Sequence, residues 1–348
     1  VWKLENSEGV MRILVVGSGG REHALVWALA RDPRVRHIIS APGNAGIARH
    51  AHCRPIDAKD IRGLSALAKQ ERIDLTVIGP EVPLCEGIVD VFDQQGLSIF
   101  GPTKAAALIE RSKVFCKELL RERNIPTPEF AVFTDPKPAK EYIREHGVPI
   151  VVKADGLAVG KGVFVSRTED EAFAAVDRLL VQRILGTEVD RIFVEEYLEG
   201  RECSLIVLTD GQHLLPLVPA KDYKPAYDGN LGPNTGGMGC YSPVPALTHQ
   251  LLQQTIETII WPIIDALASA GTPFRGALYV GLMLTEDGPK LLECNCRFGD
   301  PETQVIIPRL QSSLLDLLMA TVTGKLGEMT PRWTDACAVC VVLASNGY

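Results

Sequence analysis

The sequence lacks any apolar run close to the roughly 20 residues that a membrane-spanning helix requires. Residues 1–10 also lack the apolar core of a secretory signal peptide, so we expect them to be a leader or an appended remnant. There is no excess of positive charge either, because the formal net charge is −7. The sequence therefore indicates neither a membrane nor a nucleic-acid partner, and we expect a monomer that binds small molecules.

An even, regularly spaced set of cysteines is also missing. Nine cysteines are scattered along 348 residues, and an odd number without a secretory leader is typical of reduced thiols in the cytoplasm. We therefore expect a cytoplasmic protein. Two pairs are close in sequence, Cys294 with Cys296 and Cys337 with Cys340, and they leave a cysteine metal site as an alternative.

Strands alternate with helices in the first third of the chain, which predicts a doubly wound parallel sheet. Its apolar runs are 11–17, 37–40, 74–79 and 97–101. We expect this first domain to cover residues 11–110 and a second to cover residues 111–325, with a mobile subdomain at about 126–200. Residues 326–348 are expected to begin a third, truncated domain. The predicted fold class is α/β and α+β, with several domains.

The second block contains less regular patterns. We expect 191–198 and 202–211 to form a strand pair and 302–320 to form one helix. Residues 221–243 have no periodicity and are rich in Gly, Pro and Asn, which predicts a long functional loop. The last apolar run, 336–345, is expected to be a strand without a partner.

A glycine-rich turn follows the first predicted strand, at Gly17-Ser18-Gly19-Gly20-Arg21-Glu22. It fails the dinucleotide fingerprint because Glu22 occupies the place of the third glycine, and no acid follows the next strand. Backbone N–H groups at a helix start still favour an anion. The turn is therefore interpreted as a phosphate site for another ligand, with a nicotinamide cofactor or a purely structural turn as alternatives.

A second glycine-rich segment, Gly156 to Gly162, joins two predicted strands at 149–154 and 163–167. It is one residue shorter than a P-loop and lacks Ser or Thr after Lys161. Its backbone amides can close over phosphates as a flap, while Lys153 reaches the same phosphates from the preceding strand. The alternative is an ordinary hairpin with two surface lysines.

An acid-rich strand edge follows at Val194-Glu195-Glu196-Tyr197-Leu198, with Glu202 shortly after it. Backbone groups here can contact an adenine edge, and a carboxylate can accept hydrogen bonds from ribose hydroxyls. Glutamates at strand ends are also commonly just solvated.

The stretch from Leu292 to Arg297 alternates two kinds of side chain. Successive side chains of a strand point to opposite faces, so Glu293, Asn295 and Arg297 share one face. Leu292, Cys294 and Cys296 are expected to share the other face as core residues. Carboxylate and amide oxygens are the ligands that Mg²⁺ prefers, so Glu293 and Asn295 predict a metal site for nucleotide phosphates.

At this point the sequence closely resembles the phosphoribosylamine–glycine ligase (glycinamide ribonucleotide synthetase) family of ATP-grasp enzymes. The matching motifs run in the order of the family and are Gly17 to His23, Gly79 to Leu84, Lys153 to Val163, Gly232 to Gly239, and Arg297-Phe298-Gly299-Asp300-Pro301-Glu302-Thr303-Gln304. The resemblance implies a pre-ATP-grasp N-terminal domain, an ATP-grasp domain and a small C-terminal domain. It implies ligation of glycine to 5-phospho-β-D-ribosylamine through glycyl phosphate, with ATP and Mg²⁺ or Mn²⁺, in de novo purine synthesis.

The resemblance also implies roles for individual residues. Phosphates would be held by Lys113, Lys153, Gly160, Lys161 and Gly162. Adenine would contact Glu195 and Leu198, and the ribose Glu202. Metal would bind Glu293 and Asn295, while Arg297, with Lys153 and Asp222, would serve catalysis. Phosphoribosylamine would bind Gly19, Gly20 and Glu81, and glycine or its acyl phosphate would lie near Asn234, Gly236, Gly237 and Asp300.

Three other functions are alternatives to the ligase activity that the resemblance implies. One is an ATP-grasp ligase for another purine intermediate or amino acid, and one is a nucleotide-binding module without activity. The third is a dinucleotide-dependent oxidoreductase, which rests only on the Gly17 turn. One feature does not match an ATP-grasp site with two acids on neighbouring strands, because the apolar run from Ala277 to Leu284 contains no acid.

Overall fold

The computed structural model describes residues 10–157, 162–186 and 189–345. Its N-terminal unit is a five-stranded sheet with helices on both sides. The elements are β1 (Met11–Gly17), α1 (Gly20–Leu29), β2 (Val35–Pro42), β3 (His52–Cys53), α2 (Ile61–Gln70), β4 (Leu75–Ile78), α3 (Glu81–Glu86), α4 (Ile88–Gln94) and β5 (Ile99–Phe100). The order is β3-β2-β1-β4-β5, and every pair is parallel.

This strand order explains where a ligand can bind. The chain runs outward from β1 to β3 and then returns to β4 on the other side of β1. In such sheets the crevice lies at the carboxyl ends of the two strands where the direction reverses. Here those ends lead into Ser18-Gly19 after β1 and Gly79-Pro80-Glu81 after β4. Both turns belong to motifs singled out in the sequence.

The β1 strand is apolar throughout because both faces of the sheet are covered. Ile13, Leu14, Val15 and Val16 have no exposed surface, and a parallel sheet buried on both sides requires such a continuous run. Leu14 and Val16 belong to one apolar cluster, whereas Ile13 and Val15 belong to another. The predicted doubly wound sheet is confirmed.

A second sheet, made of antiparallel strands, follows α5 (Leu108–Arg111) and α6 (Lys113–Glu122). Its elements are β6 (Phe130–Phe133), α7 (Pro136–His146), β7 (Ile150–Ala154), β8 (Val163–Ser166), α8 (Glu169–Val176) and β9 (Ile192–Glu196), in the strand order β6-β9-β7-β8. Helices α7 and α8 cover it and share a separate apolar core that includes Ile143, Val152 and Val176. The Thr168 side chain caps α8 reciprocally with Glu171.

The third sheet is also antiparallel and carries most of the candidate site. Its strands are β10 (Arg201–Thr209), β11 (Leu214–Pro216), β16 (Gly276–Thr285) and β17 (Gly288–Asn295), in the order β11-β10-β16-β17. The helices α9 (His249–Thr255) and α10 (Trp261–Ser269) follow one another through a π-helical stretch at Ile256–Ile260. Pro262 is the second residue of α10, directly after this π-helical stretch, and it has no backbone N–H to donate within the helix.

Three expectations about this half of the chain were wrong. The runs 191–198 and 202–211 do not pair with each other, because β9 lies between β6 and β7 whereas β10 pairs with β11 and β16. The predicted loop 221–243 contains short strands, β12 (Lys221–Asp222), β13 (Pro225–Tyr227), β14 (Leu231–Asn234) and β15 (Gly239–Ser242). The predicted helix 302–320 is divided into α11 (Thr303–Ile306) and α12 (Leu314–Thr323), with Pro308 in the turn between them.

The final strand, β18 (Ala338–Val341), has a partner after all. It pairs antiparallel with β15, so that Cys340 lies opposite Cys240. The segment expected to be a loop therefore supplies the partner that the sequence pattern did not reveal. Among the described residues, no helix is long and apolar enough to cross a bilayer.

The cysteines of β17 and its extension are core residues. Cys294 is 5% exposed and Cys296 is 1% exposed, and both belong to the apolar cluster that contains Leu291. Nowhere in the described ranges do three or more His, Cys, Asp or Glu side chains form a group that could hold a metal ion.

We expect Cys294→Ala to lower the free energy of unfolding by about 1 kcal/mol, because it removes one buried sulfur and leaves a small void. Urea unfolding measures this change. Cys337→Ala, at an exposed cysteine, is the control and should stay within about 0.5 kcal/mol of the wild type. A loss above about 4 kcal/mol for Cys294→Ala would instead indicate that the thiol ligates a structural metal.

Candidate active site

A cavity of about 580 Å³ lies where the three sheets meet. Most of the residues singled out in the sequence line it, and they come from all three units. They are Glu81, Lys113, Lys153, Gly162, Glu195, Leu198, Glu202, Asn234, Gly236, Gly237, Glu293, Asn295, Arg297 and Asp300. Gly160 and Lys161 lie outside the described residues.

Three predicted residues lie beside this cavity rather than in its wall. Asp222 lines a smaller pocket, which shares Glu202 and Glu293 with the larger one. Gly19 and Gly20 pack against Asp300 and Gln304 of the signature octapeptide. A Cβ atom at Gly19 would lie 3.1 Å from Asp300 Oδ2, and one at Gly20 would lie 2.7 Å from Gln304 Nε2.

The strand β17 presents its polar residues to the cavity as alternation predicts, with one exception. The register shifts between Gly281, which lies opposite Glu293, and Leu282, which lies opposite Leu291. Leu292 is therefore the extra residue of a β-bulge. It lines the cavity, and Leu291 takes the core position. The expectation that Leu292 shares the core face was wrong for this reason.

Glu293 is paired with a lysine that the sequence reasoning missed. Lys224 Nζ lies 2.8 Å from Glu293 Oε1. The Lys224 ammonium is the main cause that lowers the pKa of Glu293 to about 2, against the opposing effect of burial. Glu293 is therefore ionised at neutral pH and available to a cation. Lys224 lies two residues after Asp222 in the segment 221–243. This closeness to a predicted site residue is the sequence feature that could have indicated Lys224.

A buried carboxylate also joins two lysines on the second sheet. Glu195 is 1% exposed, and its carboxylate pairs with Lys153 on β7 and with Lys117 Nζ on α6, the latter at 2.8 Å. Burial acts to raise the pKa of Glu195, but the two ammonium groups together lower it. The Glu195 carboxylate is thus occupied within the protein. Lys117 was not predicted, because it is one of several charged residues on a helix.

Arg297 joins the third sheet to the N-terminal unit. Its Nε lies 3.4 Å from Glu81 Oε2, and its Nη2 lies 3.3 Å from Glu110 Oε1. Glu110 also accepts a 2.6 Å hydrogen bond from the backbone N–H of Cys296. Burial raises the pKa of Glu110, with Arg297 opposing the rise. Glu110 was missed, since nothing in its sequence surroundings distinguishes it.

The base of the second glycine-rich segment is anchored to the start of α6. Asp155 Oδ1 accepts hydrogen bonds from the Ser112 hydroxyl and the Val114 N–H, both at 3.1 Å. Lys113 Nζ donates to the carbonyl oxygen of Gly156 at 2.6 Å. Burial lowers the pKa of Lys113. The predicted hairpin of β7 and β8 is confirmed, and its base lies beside a lysine that lines the cavity.

Glu22 fills the turn after β1. Its Oε2 accepts a 2.6 Å hydrogen bond from the Gly19 N–H, and its side chain is 2% exposed. A Cβ atom at Gly17 would lie 2.6 Å from Glu22 Cδ. The space through which a dinucleotide pyrophosphate approaches a fingerprint loop is therefore occupied by this carboxylate. The geometry gives no support to the oxidoreductase alternative.

Another buried cluster surrounds Glu302. Ser204 Oγ donates to Glu302 Oε1 at 3.0 Å and lies 3.0 Å from the Tyr279 hydroxyl. Burial, together with the carboxylate of Asp222, raises the pKa of Glu302 to about 7. Glu302 is therefore close to half ionised at neutral pH. Its position in the signature octapeptide was noted in the sequence, but no role was assigned to it.

These features define a class of protein. A parallel N-terminal unit, a small antiparallel sheet with a glycine-rich hairpin, and a larger antiparallel sheet surround one cavity lined by lysines and carboxylates. This is the arrangement of the ATP-grasp class. A similar fold occurs in the crystal structure of the biotin carboxylase domain of Hydrogenobacter thermophilus 2-oxoglutarate carboxylase, solved with MgADP. That domain superposes with a TM-score of 0.72 at 15% identity over 95% of this chain and 74% of its own, a likeness of fold alone.

Comparison of sequences gives the family. The family model described as "Phosphoribosylglycinamide synthetase, N domain" matches residues 11–110, and that of its "ATP-grasp (A) domain" matches residues 111–303. The chain belongs to the phosphoribosylglycinamide synthetase family. The predicted family and fold class are thus confirmed.

Individual relatives agree with the family match. Phosphoribosylamine–glycine ligases of Salmonella typhimurium and Escherichia coli K12 are each 49% identical over 341 residues, which cover 97% of this chain and 80% of theirs. The crystal structure of phosphoribosylamine–glycine ligase from Thermotoga maritima superposes with a TM-score of 0.82 at 33% identity. That match covers 97% of this chain and 81% of the other.

The Glu302 cluster predicts a pH-dependent stability. The pKa of Glu302 is raised from 4.5 to about 7 by folding, so the folded protein holds this proton more tightly than the unfolded chain. The stabilisation that protonated Glu302 adds to the folded protein is therefore fully present below pH 4.5 and is lost as the pH rises through 7. Between pH 4.5 and 7.5, the free energy of unfolding of the wild type should fall by on the order of 3 kcal/mol relative to that of Glu302→Gln.

Urea unfolding of both proteins at several pH values measures this difference. Glu286→Gln, in the exposed turn between β16 and β17, is the control for removing a carboxylate. A constant difference between wild type and Glu302→Gln across the pH range would contradict the prediction.

Proposed function

We propose that this chain catalyses the ATP-dependent ligation of glycine to 5-phospho-D-ribosylamine. The products are glycinamide ribonucleotide, ADP and phosphate, in de novo purine synthesis. One observation carries the proposal: Glu81 of the N-terminal crevice and Arg297 of the signature octapeptide lie 3.4 Å apart on a cavity that also contains Lys113 and Lys153. The two substrate motifs of the family therefore face a single reaction volume.

The reaction requires an activated carboxylate. A carboxylate is a poor electrophile, so one glycine oxygen is converted into a leaving group by phosphoryl transfer from ATP. The amine of phosphoribosylamine then attacks the carbonyl carbon of glycyl phosphate, forming the C–N bond, and phosphate leaves with the electrons of the broken C–O bond. The protein contributes positioning and neutralisation of charge, as in phosphoryl transfer generally.

The second sheet and its neighbours are assigned to the nucleotide. Lys113 and Lys153 contact the phosphates, and the segment that contains Gly160, Lys161 and Gly162 covers them. The backbone at Glu195 and Leu198 receives adenine, because the Glu195 carboxylate is already paired with lysines. Glu202, at the start of β10, accepts hydrogen bonds from the ribose hydroxyls.

Glu293 and Asn295 fit a divalent cation by the chemistry of their donor atoms. Both are oxygen donors on the cavity face of β17, the kind that Mg²⁺ and Mn²⁺ bind. When bound, the ion would neutralise the charge of the nucleotide phosphates. Because the protein offers few ligands at this place, phosphate oxygens and waters would supply the remaining ligands.

The remaining residues are assigned to the other substrates. Gly19, Gly20 and Glu81 receive phosphoribosylamine at the crevice of the N-terminal sheet. Asp222, Asn234, Gly236, Gly237 and Asp300 surround glycine and its acyl phosphate. Arg297, with Lys153, stabilises the negative charge that develops on the transferred phosphoryl group.

Three further points belong to the proposal. The domains are residues 11–110, 111–325 and 326 onward, with residues 126–200 as a mobile subdomain. The protein acts as a monomer. It works in the cytoplasm, a choice supported by nine cysteines that are all unpaired, each lying in a described range.

The test is the release of ADP in the presence of ATP and a divalent metal. We expect turnover that requires both glycine and phosphoribosylamine, and a fall of kcat on the order of 100-fold in Glu293→Ala, because the metal ion would lose its carboxylate ligand. Glu286→Ala, an exposed acid on the turn that precedes β17, is the matched control and should retain wild-type turnover.

Other outcomes separate the alternatives. Phosphate release that depends on formate and glycinamide ribonucleotide would indicate another ATP-grasp ligase. Tight ATP binding without glycine-dependent turnover would indicate a nucleotide-binding module. Undiminished turnover in Glu293→Ala would overturn the metal assignment.

A further inference from the structure

Lys224 supplies the positive charge beside the Glu293 carboxylate when no metal ion is bound. Its Nζ lies 2.8 Å from Glu293 Oε1, and its side chain is 31% exposed, so it contacts both the carboxylate and the open cavity. It lines the large cavity and the smaller pocket next to it. Among the described residues, it is the only basic side chain within ion-pair distance of Glu293.

The surroundings of Lys224 are strongly acidic. Glu202, Asp222 and Glu293 line the smaller pocket together with Lys224. Three carboxylates around one ammonium leave a local excess of negative charge. Lys113 and Lys153 are the other cations close enough to influence Glu293, but Lys153 is paired with Glu195 and Lys113 donates to Gly156. Lys224 is therefore the direct counter-ion of Glu293.

A divalent ion has to compete with this ammonium. The protein offers it Glu293 and Asn295, and within the described ranges no group of three or more His, Cys, Asp or Glu side chains could hold a metal ion. A carboxylate that already has a cation 2.8 Å away gains less from a second one, because the two cations repel each other. Nucleotide phosphates change this balance, since they bring oxygen ligands for the metal and a second anionic partner for Lys224.

We propose that Lys224 is a positioning residue that exchanges partners: it holds Glu293 while the site is empty of nucleotide and moves to the nucleotide phosphates when metal and nucleotide enter together. The inference rests on the proposed role of Glu293 as a metal ligand. It predicts that Lys224 weakens the binding of free metal and strengthens the binding of nucleotide. A lysine with a purely structural role would affect both affinities in the same direction.

The first measurement is Mn²⁺ binding without nucleotide, followed by the EPR signal of free Mn²⁺. Lys224→Met should bind Mn²⁺ about tenfold more tightly than the wild type, because the competing charge is gone. Lys224→Arg keeps the charge and should resemble the wild type. Lys221→Met removes the same charge three residues away, where the ammonium lies over the ring of Tyr223, and should also resemble the wild type.

The second measurement is calorimetric binding of ATP with metal removed by EDTA. Lys224→Met should bind metal-free ATP about tenfold more weakly than the wild type, and Lys221→Met should not differ. Opposite shifts for Mn²⁺ and ATP support the exchange. Unchanged Mn²⁺ affinity in Lys224→Met, or shifts of both affinities in one direction, would overturn it.

Two further variants separate this inference from the proposed function. If Glu293→Gln abolishes the Mn²⁺ gain of Lys224→Met, then Glu293 is the ligand that Lys224 competes for. If Mn²⁺ binds equally well to Lys224→Met with and without Glu293→Gln, the metal assignment fails and the exchange fails with it, while glycine-dependent turnover still tests the ligase activity. Lys224→Gln is the substitute if thermal unfolding shows that Lys224→Met is not folded.

Discussion

The contact of Arg297 with Glu81 and Glu110 is the interaction on which the rest of the site depends. The guanidinium lies 3.4 Å from one carboxylate and 3.3 Å from the other, and both carboxylates belong to the N-terminal unit. Removing one partner of a buried pair leaves an uncompensated charge, which costs far more than an exposed pair contributes. The pairing therefore connects the crevice of the parallel sheet to the end of β17, and with it the motif at residues 79–84 to the signature octapeptide.

The same principle governs the other charges around the cavity. Glu195 pairs with Lys153 and Lys117, and Glu293 pairs with Lys224. Without ligands, Glu195, Glu293 and Arg297 thus each lie beside an opposite charge from another element. In the proposed reaction, binding of metal and nucleotide would exchange the Lys224 partner of Glu293 for new counter-ions.

The sequence predicts the parts of this site whose cause is local. The period of a strand is enough to place Glu293, Asn295 and Arg297 on one face, and the apolar run of β1 is enough to indicate a buried parallel strand. Local pattern failed at Leu292, because a bulge inserts one residue and only the partner strand reveals it. It failed for β9 and β10 because neighbours in sequence were assigned to one sheet, whereas β10 pairs with β16, which begins at Gly276.

The ion-pair partners lie beyond local pattern for a different reason. Lys224 is 69 residues from Glu293 in the chain. Glu110 is 186 residues from Cys296, whose backbone N–H donates a hydrogen bond to it. Their spacing carries no periodicity, so only the folded chain brings them together. The resemblance to a family supplied the substrates but did not supply these partners. The structure consequently adds most to the sequence where charges from distant segments meet.

The turn after β1 shows both a local sequence pattern and a contact between distant segments. Glu22 was noticed in the sequence only as a failure of the dinucleotide fingerprint, yet its carboxylate fills the turn and accepts the Gly19 N–H. Arg21 Nη1 donates to the Phe298 carbonyl at 3.2 Å, next to Arg297. A sheet with the strand order of a nucleotide-binding unit thus uses its first turn to contact the signature octapeptide. The departure from the fingerprint thus supports this contact indirectly, because Glu22 pairs with Arg21 and accepts the Gly19 N–H, and a glycine in its place would remove both interactions.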